Sequence, residues 1–280
     1  MAKSFRSWNP GPLPGFGPTV GFTIFYLGLM VLLPLAALVL KATHMSAAQF
    51  WATISSSRAL AAYRLSFGGA FLAAGINAVA GLALSWILVR YRFLGHAVID
   101  AIIDLPLALP TAVAGIALTA IYAGNGWVGQ FLEPLGIKIA YTPLGILIAL
   151  IFIGLPFIVR TIQPVLEDLD REVEEAAATL GAARFQSVLR VVMPALVPSL
   201  MTGFALAFAR AVGEYGSVIF IAGNIPYVSE IAPLLIIIRL TEFNYAGATA
   251  IATIMLLISF LLLLVINLLQ AWSRKRLGNV

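Results

Sequence analysis

The chain contains no cysteine, only two histidines and few charged residues, since Asp, Glu, Lys and Arg make up 10% of its 280 residues. The lack of cysteine excludes disulfides, thiolate catalysis and cysteine-based metal sites. An ordinary soluble domain carries about 25% charged residues, so the scarcity of charge excludes a soluble globular enzyme. Hydrophobic residues instead make up 61% of the chain, which is typical of a polytopic membrane protein.

The 17 Lys and Arg residues outnumber the 12 Asp and Glu residues, which gives a formal net charge of +5. No run of five or more basic residues occurs, nor are basic and aromatic residues interleaved along a groove, so the excess does not indicate nucleic-acid binding. Basic residues in short loops instead orient membrane spans and lie against anionic lipid headgroups. His44 and His96 are isolated in predicted loops, so no metal site is predicted.

Six apolar windows are long enough to cross a bilayer as helices, for which about 20 residues are needed. The sequence therefore predicts an all-α integral membrane protein with six transmembrane helices at residues 20–40, 65–89, 105–123, 139–159, 196–221 and 246–269. The third window is expected to begin near Ile99. A seventh apolar run, 231–238, is too short to span and lies beside Pro226 and Pro233, which favours an extramembrane or re-entrant segment packed on the bundle.

Basic residues are distributed unevenly between the two sides of the predicted bundle. With the N-terminus in the cytoplasm, the inside segments hold eleven of them and the outside segments five: Lys3, Arg6, Arg90, Arg92, Arg160, Arg171, Arg184, Arg190, Arg274, Lys275 and Arg276 against Lys41, Arg58, Arg64, Lys138 and Arg239. The positive-inside rule therefore places both termini in the cytoplasm. We expect one transmembrane domain over 1–280, with a cytoplasmic lead at 1–19 and a large cytoplasmic loop at 160–194.

That loop carries half of all the acidic residues, and they precede an alanine-rich helical stretch, 176–180, that stops at Gly181. Good helix formers followed by glycine predict a short helix with a defined end. Neighbouring carboxylates such as Glu174 and Glu175 point in different directions on a helix, and no histidine lies near them. We therefore interpret them as a solvated face or as charges at a helix N-terminus rather than catalytic groups, and the helix as a docking element for a partner protein.

The same loop carries a recognisable motif. Glu175-Ala176-Ala177, three residues, Gly181, nine residues and then Val191-Val192-Met193-Pro194 resemble the EAA motif in permease subunits of ATP-driven, binding-protein-dependent importers. Val191 and Met193 are conservative departures from the family pattern of Ile or Leu-type residues followed by Leu-Pro. The resemblance implies that Glu175, Ala176, Ala177, Gly181 and Pro194 belong to a loop that couples the permease to an ATPase.

Five further stretches, 88–93, 104–115, 156–166, 210–216 and 218–226, resemble the sulfate and molybdate branch of these permeases, and most closely the T-type permeases of sulfate/thiosulfate importers. The resemblance covers almost everything from about Leu27 to the last span. It implies a type I ABC importer permease fold in a bacterial-type cytoplasmic (inner) membrane. It also implies that the chain is a transport subunit without enzymatic activity of its own.

The implied partners are a homologous W-type permease, two cytoplasmic ATPase subunits and an external sulfate-binding protein that delivers sulfate or thiosulfate. No G-x-x-x-x-G-K-[ST] loop occurs in the chain, so it is not expected to cradle ATP phosphates. We therefore expect no cofactor on this chain, with ATP and magnesium held by the partner ATPases.

Arg210 and Glu214 lie within the fifth predicted span, one helical turn apart. A charge at the bilayer centre costs about 2.5–3.5 kcal/mol on insertion scales, so both are expected to face the bundle interior or water. Two interpretations of the pair remain open. It is either a buried ion pair that holds helices together, or Arg210 lines the path of the sulfate dianion and Glu214 holds Arg210 in place.

Asn77 likewise has two interpretations, because it either forms an interhelical hydrogen bond or lines the substrate path. Thr111 follows Pro106 and Pro110, whose interruption of the third helix indicates either a substrate site or a simple kink.

Three alternatives to a sulfate permease remain. Molybdate and tungstate are similar dianions, so a molybdate/tungstate permease of the same branch has the same sequence features. An integral-membrane enzyme would use the acidic loop and turn over a substrate without ATPase subunits. A secondary transporter is disfavoured because the EAA-like loop would then have no purpose.

Overall fold

The computed structural model describes residues 16–277, and this part of the chain contains helices and no strands. Two of the long helices each include a short π-helical segment, at Gly28–Leu32 and Val188–Val192. In chain order the helices are α1 (Phe16–Ala42), α2 (Ala47–Ile54), α3 (Ser57–Arg90), α4 (His96–Ala108), α5 (Thr111–Tyr122), α6 (Gly129–Leu132), α7 (Pro143–Asp168), α8 (Arg171–Thr179), α9 (Arg184–Val212), α10 (Val218–Ile221), α11 (Ala232–Thr241) and α12 (Tyr245–Leu277).

Within the described residues, five helices are long and apolar enough to cross a membrane: α1, α3, α7, α9 and α12. The pair α4 and α5 passes the same test together, but it is bent by 117° at the break between the two helices. Leu109 is extended there, with φ −80° and ψ 137°, because the following Pro110 disfavours helical geometry in the residue before it. The predicted all-α bundle of six spans is confirmed when this pair is counted as one broken span.

The centre of the bundle is formed by α3, α7 and α9, which pack against one another along most of their length. Alanines and glycines on α3 let the helices approach closely, as small residues do in membrane proteins. Gly81 shows this, because a Cβ atom there would lie 2.6 Å from Ile158 Cγ2 on α7. The buried cluster contains Ala70, Ala73 and Ala74 of α3, Ile146, Leu150 and Ile158 of α7, and Ala207, Phe208 and Ala211 of α9.

The apolar run at 231–238 forms the ten-residue helix α11, which packs against α12 and α3. Its first turn is fixed to α3, because the backbone N–H of Ala232 donates to Ser66 Oγ over 2.8 Å. Glu230, just before α11, adds a bidentate ion pair, in which Arg58 Nε and Nη2 on α3 donate to its carboxylate at 2.8 and 2.6 Å. The prediction of a short segment packed on the bundle is confirmed.

Several predicted boundaries differ from the structure. The fifth span was predicted at 196–221, but α9 begins at Arg184 and ends at Val212. The predicted loop at 160–194 is shorter, because α7 continues to Asp168 and α9 already contains Pro194. Of the predicted lead at 1–19, residues 16–19 belong to α1, and the remainder lies outside the described residues. At Phe16, Asp168 and Arg184 the helices extend past the edges of the predicted windows, whereas α9 stops short of the predicted end because the chain leaves the helix at Gly213.

Candidate substrate-path and coupling sites

The charged pair predicted for the fifth span lies at the end of α9, with Arg210 in the last turn of the helix and Glu214 in the turn that follows. Glu214 does not continue the helix of Arg210, because α9 ends at Val212 and Glu214 follows Gly213 in the turn. The pair nevertheless forms, since Arg210 Nη1 donates to Glu214 Oε2. Glu214 Oε1 accepts two further hydrogen bonds from Ser217, at 2.9 Å from its backbone N and 3.0 Å from its Oγ. The carboxylate therefore organises the turn as well as pairing with the arginine.

The two partners differ in exposure. The Glu214 side chain is 2% exposed, whereas the Arg210 side chain is 35% exposed. A guanidinium has five N–H donors, and within the described residues Arg210 uses one of them, toward Glu214. Its remaining donors make no hydrogen bond within the described residues. Arg210 thus has the free donors that an anion requires, and Glu214 offsets its charge.

Thr111 lies against this turn. It begins α5 directly after Pro110, and a Cβ atom on Gly216 would lie 2.2 Å from Thr111 Oγ1. Glycine at 216 is therefore required for the start of α5 to approach the turn so closely. The structure brings Thr111 together with the turn that contains Glu214 and Ser217, although the sequence places them about a hundred residues apart.

Asn77 lies elsewhere, in the interface between α3 and α7. Its side chain is almost fully buried, and Nδ2 donates to the backbone oxygen of Ile151 over 3.0 Å. A Cβ atom on Gly154 would lie 2.6 Å from the same Nδ2. This geometry is that of the interhelical hydrogen bond, the structural alternative considered for Asn77.

The helix α8 contains the first part of the EAA-like motif. It ends in the hydrogen-bond pattern of a Schellman motif, with Ala182 N donating to Ala177 O at 3.1 Å and Gly181 N donating to Ala178 O at 3.0 Å. Gly181 has a φ of +86°, a left-handed conformation that glycine adopts without strain. Glu175 and Ala176 are exposed and Ala177 is half-buried. Pro194 is set apart from them, in the first turn of the regular part of α9.

Large apolar side chains surround this helix end without being covered by the rest of the described chain. Leu180 is 89% exposed and Phe185 is 74% exposed, and Leu189 is exposed beside them. Sequence reasoning selected the motif residues and missed this patch. The available signal was the spacing of Leu180 and Phe185 on either side of the glycine stop, in a segment otherwise rich in charge.

Sequence reasoning also missed two ion-pair clusters near the ends of the helices. Arg160 on α7 forms a bidentate pair with Asp104 at 2.7 and 2.6 Å, and donates to Asp100 Oδ1 at 2.8 Å and Gln163 Oε1 at 2.6 Å. Arg90 at the end of α3 donates to Glu174 Oε1 on α8 over 2.6 Å. The spacing of Asp100 and Asp104, four residues apart in an otherwise apolar helix, was a detectable signal for the first cluster. Glu174 was expected on a solvated face or as a helix N-terminal charge; it does lie in the first turn, but it is ion-paired.

Residues 77–279 match the family described as "Binding-protein-dependent transport system inner membrane component". The chain belongs to this family. The match covers every helix from the middle of α3 onward, including the motif on α8 and the turn after α9. The predicted membership of the binding-protein-dependent permeases is therefore confirmed, and the chain is a multi-pass transport component rather than an enzyme.

Individual relatives and structures agree with this assignment. The chain is 50% identical over 268 residues to "Sulfate transport system permease protein CysT" of Salmonella typhimurium, covering 95% of this chain and 97% of that protein. It is 49% identical to "Probable sulfate transport system permease protein cysT" of Nephroselmis olivacea, covering 91% and 90%. A chain of a bacterial ABC transporter that imports the acidic polysaccharide alginate has the same fold, with a TM-score of 0.75 at 14% identity over 92% of this chain and 94% of that one. The predicted ABC importer permease fold is thereby confirmed.

Proposed function

We propose that this chain is the T-type permease subunit of an ATP-driven sulfate/thiosulfate importer, moving the oxyanion into the cytoplasm by alternating access. The similarity to sulfate permeases, which extends over 95% of the chain at 50% identity, carries this proposal. The geometry of the turn after α9 supports an anionic cargo, because Arg210 is partly exposed and has unused donors.

In this proposal Arg210 lines the path of the dianion. A guanidinium spreads its charge over a planar group with several donors, which suits the oxygens of a tetrahedral anion. Transport also requires release, so a single binding position must not hold the anion too tightly. The adjacent Glu214 carboxylate keeps the net charge of the pair near zero, and the hydroxyl group of Thr111 lies at the same turn to offer a weak, neutral contact.

The proposed partners are a homologous W-type permease, two cytoplasmic ATPase subunits and an external binding protein that delivers sulfate or thiosulfate. The helix α8 is the proposed ATPase contact, with Leu180 and Phe185 supplying apolar surface beside the motif residues. ATP and magnesium act on the ATPase subunits and no cofactor acts on this chain. An ATP-bound partner drives the change of state by binding one conformation of the permease pair more tightly than the other.

The proposed orientation places both termini and α8 in the cytoplasm of a bacterial-type inner membrane, following the excess of basic residues in the inside segments. The loops around α2 and α11 then face outward. This orientation puts the Arg210 turn toward the external half of the bundle and the motif on the opposite side.

Uptake in proteoliposomes tests this proposal. The chain is co-purified with its co-expressed partner subunits and reconstituted with ATP inside and the loaded binding protein outside. Labelled sulfate should enter with ATP and remain outside with a non-hydrolysable analogue. Unlabelled thiosulfate should compete, whereas ATP-dependent uptake of labelled molybdate, with no uptake of sulfate, would assign the chain to the molybdate/tungstate permeases instead.

A further inference from the structure

The short helix α8 packs only weakly against the rest of the chain. None of its described side chains is buried, and it packs mainly against the first turns of α9. A helix of nine residues is only marginally stable in isolation. A contact made through exposed residues does not fix the angle at which such a helix lies against the bundle. The contact with α9 leaves the angle of α8 relative to α3 and α7 unset, so a second connection is needed for a partner's movement to reach those two helices directly.

That connection is made by one guanidinium at the end of α3. Arg90 is the last residue of α3, and its side chain is 10% exposed. It lies over the ring of Trp86, with the guanidinium carbon 5.7 Å from the ring centre. Its Nη2 donates to Glu174 Oε1 at 2.6 Å and to the backbone oxygen of Leu169 at 3.4 Å.

These contacts join three elements at one point. Trp86 and Arg90 belong to α3, Leu169 directly follows the last residue of α7, and Glu174 belongs to the first turn of α8. The joint thus connects α8 to α3 and α7, two of the three helices at the centre of the bundle. Glu174 is 27% exposed and Arg90 is largely enclosed, so the pair is screened less than a surface pair.

We propose that Arg90 and Glu174 are positioning residues for energy coupling, which hold α8 at a fixed angle to α3 and α7 so that movement of the ATPase reaches the membrane helices. This inference rests on the proposed coupling role of α8. The pair does not bind the ATPase in this proposal. Its loss should therefore separate ATP hydrolysis from transport while the subunits stay assembled.

The test compares Glu174→Gln with Glu172→Gln, which neutralises an exposed carboxylate in the same first turn and serves as the matched control. Both variants are purified as the full complex, and three quantities are measured: ATPase recovery, the stimulation of hydrolysis by the loaded binding protein, and sulfate uptake per ATP hydrolysed. With Glu174→Gln, recovery should stay normal while stimulation and uptake per ATP fall about fivefold or more, the low end of typical coupling between sites. Glu172→Gln should leave all three unchanged.

The exchanged pair, Arg90→Glu with Glu174→Arg, should regain part of the lost coupling, which a merely local effect of either substitution would not give. Unchanged stimulation and uptake per ATP in Glu174→Gln would overturn the proposal. Loss of ATPase recovery in Glu174→Gln would also overturn it, because the carboxylate would then be a docking contact. A failure of the underlying coupling role is seen separately, as full ATPase recovery and normal uptake when Gly181 is replaced by leucine.

Discussion

Arg210 and Glu214 form an ion pair in which the carboxylate is buried and the guanidinium keeps about a third of its side chain exposed. A buried carboxylate without a partner is strongly disfavoured, so the pair has a structural role in the turn after α9. The exposed donors of Arg210 are not needed for that role. Both interpretations of the pair are therefore compatible with the geometry, and they differ in what a substitution should do.

Arg210→Gln should reduce sulfate uptake strongly while the complex still forms. Removing one partner of a fully buried pair costs about 3–5 kcal/mol, and the cost should be smaller here because Arg210 is partly exposed. Glu214 also keeps its two hydrogen bonds from Ser217. The measurements are uptake in proteoliposomes and the midpoint of thermal unfolding of the purified complex.

The double change Arg210→Gln with Glu214→Gln separates stability from transport. It removes the unpaired carboxylate, so the midpoint of unfolding should recover. Uptake should remain low if the guanidinium contacts the anion. Recovery of uptake together with stability would remove Arg210 from the path and leave it a structural residue.

The membrane spans could be predicted because their composition is dictated by the solvent that surrounds them. A helix in lipid needs about 20 apolar residues, and that requirement is visible without any tertiary information. Their ends could not be placed as well, because α7 and α9 continue into charged segments at Asp168 and Arg184. Charge marks where the hydrocarbon ends, whereas a helix ends where its backbone finds a cap or a turn.

The charged residues were harder to interpret than the spans. Arg160 and Asp104 are 56 positions apart, and Arg90 and Glu174 are 84 apart. No local pattern joins such residues, since their contact depends on how α3, α4, α7 and α8 are arranged. Glu214 shows the opposite error, because its spacing of four from Arg210 indicated one continuous helix, whereas the pair forms across the helix end at Gly213.

Gly181→Leu should weaken the recovery of ATPase subunits and lower uptake, while membrane insertion stays near normal. The reason is conformational, because φ at this position is +86° and no atom lies within 4 Å of an added Cβ. A non-glycine residue in the left-handed helical conformation costs about 1–2 kcal/mol, so α8 would end differently. ATPase recovery on affinity-purified complex measures the effect.

Gly181→Asn is the matched control for that experiment. Asparagine tolerates the left-handed conformation better than other residues with a side chain, so the variant should retain most of the ATPase. Equal losses in the leucine and asparagine variants would show that bulk at the docking surface matters rather than the backbone turn.

Arg160→Met should lower the stability of the complex by loosening α4 from α7. The substitution leaves Asp100 and Asp104 without their arginine. Because these three side chains are partly exposed, the expected cost is about 1–2 kcal/mol rather than that of a buried pair. The midpoint of thermal unfolding in detergent should fall by a few degrees.

Arg92→Met provides the comparison, since Arg92 is exposed and lies just past the end of α3. It should leave the midpoint unchanged. Adding Asp100→Asn and Asp104→Asn to Arg160→Met should restore part of the lost stability, because the unpaired charges are removed. A midpoint for Arg160→Met equal to that of Arg92→Met would show that the cluster contributes nothing measurable.

Single cysteines should report the orientation of the chain, which has none of its own. Ser55 and Ala178 are both exposed, Ser55 between α2 and α3 and Ala178 on α8. The eleven-to-five distribution of basic residues predicts that they lie on opposite sides of the membrane. A membrane-impermeant maleimide added to intact spheroplasts should label Ser55→Cys and leave Ala178→Cys unlabelled.

The same reagent should label Ala178→Cys after the membrane is opened with detergent, which shows that the thiol is reactive and only shielded by the bilayer. The cysteine-free parent chain, unlabelled throughout, sets the background. Labelling of Ala178→Cys from outside would place α8 on the external side, out of reach of a cytoplasmic ATPase. That single result would contradict the orientation and, with it, the proposed coupling role of the EAA-like motif.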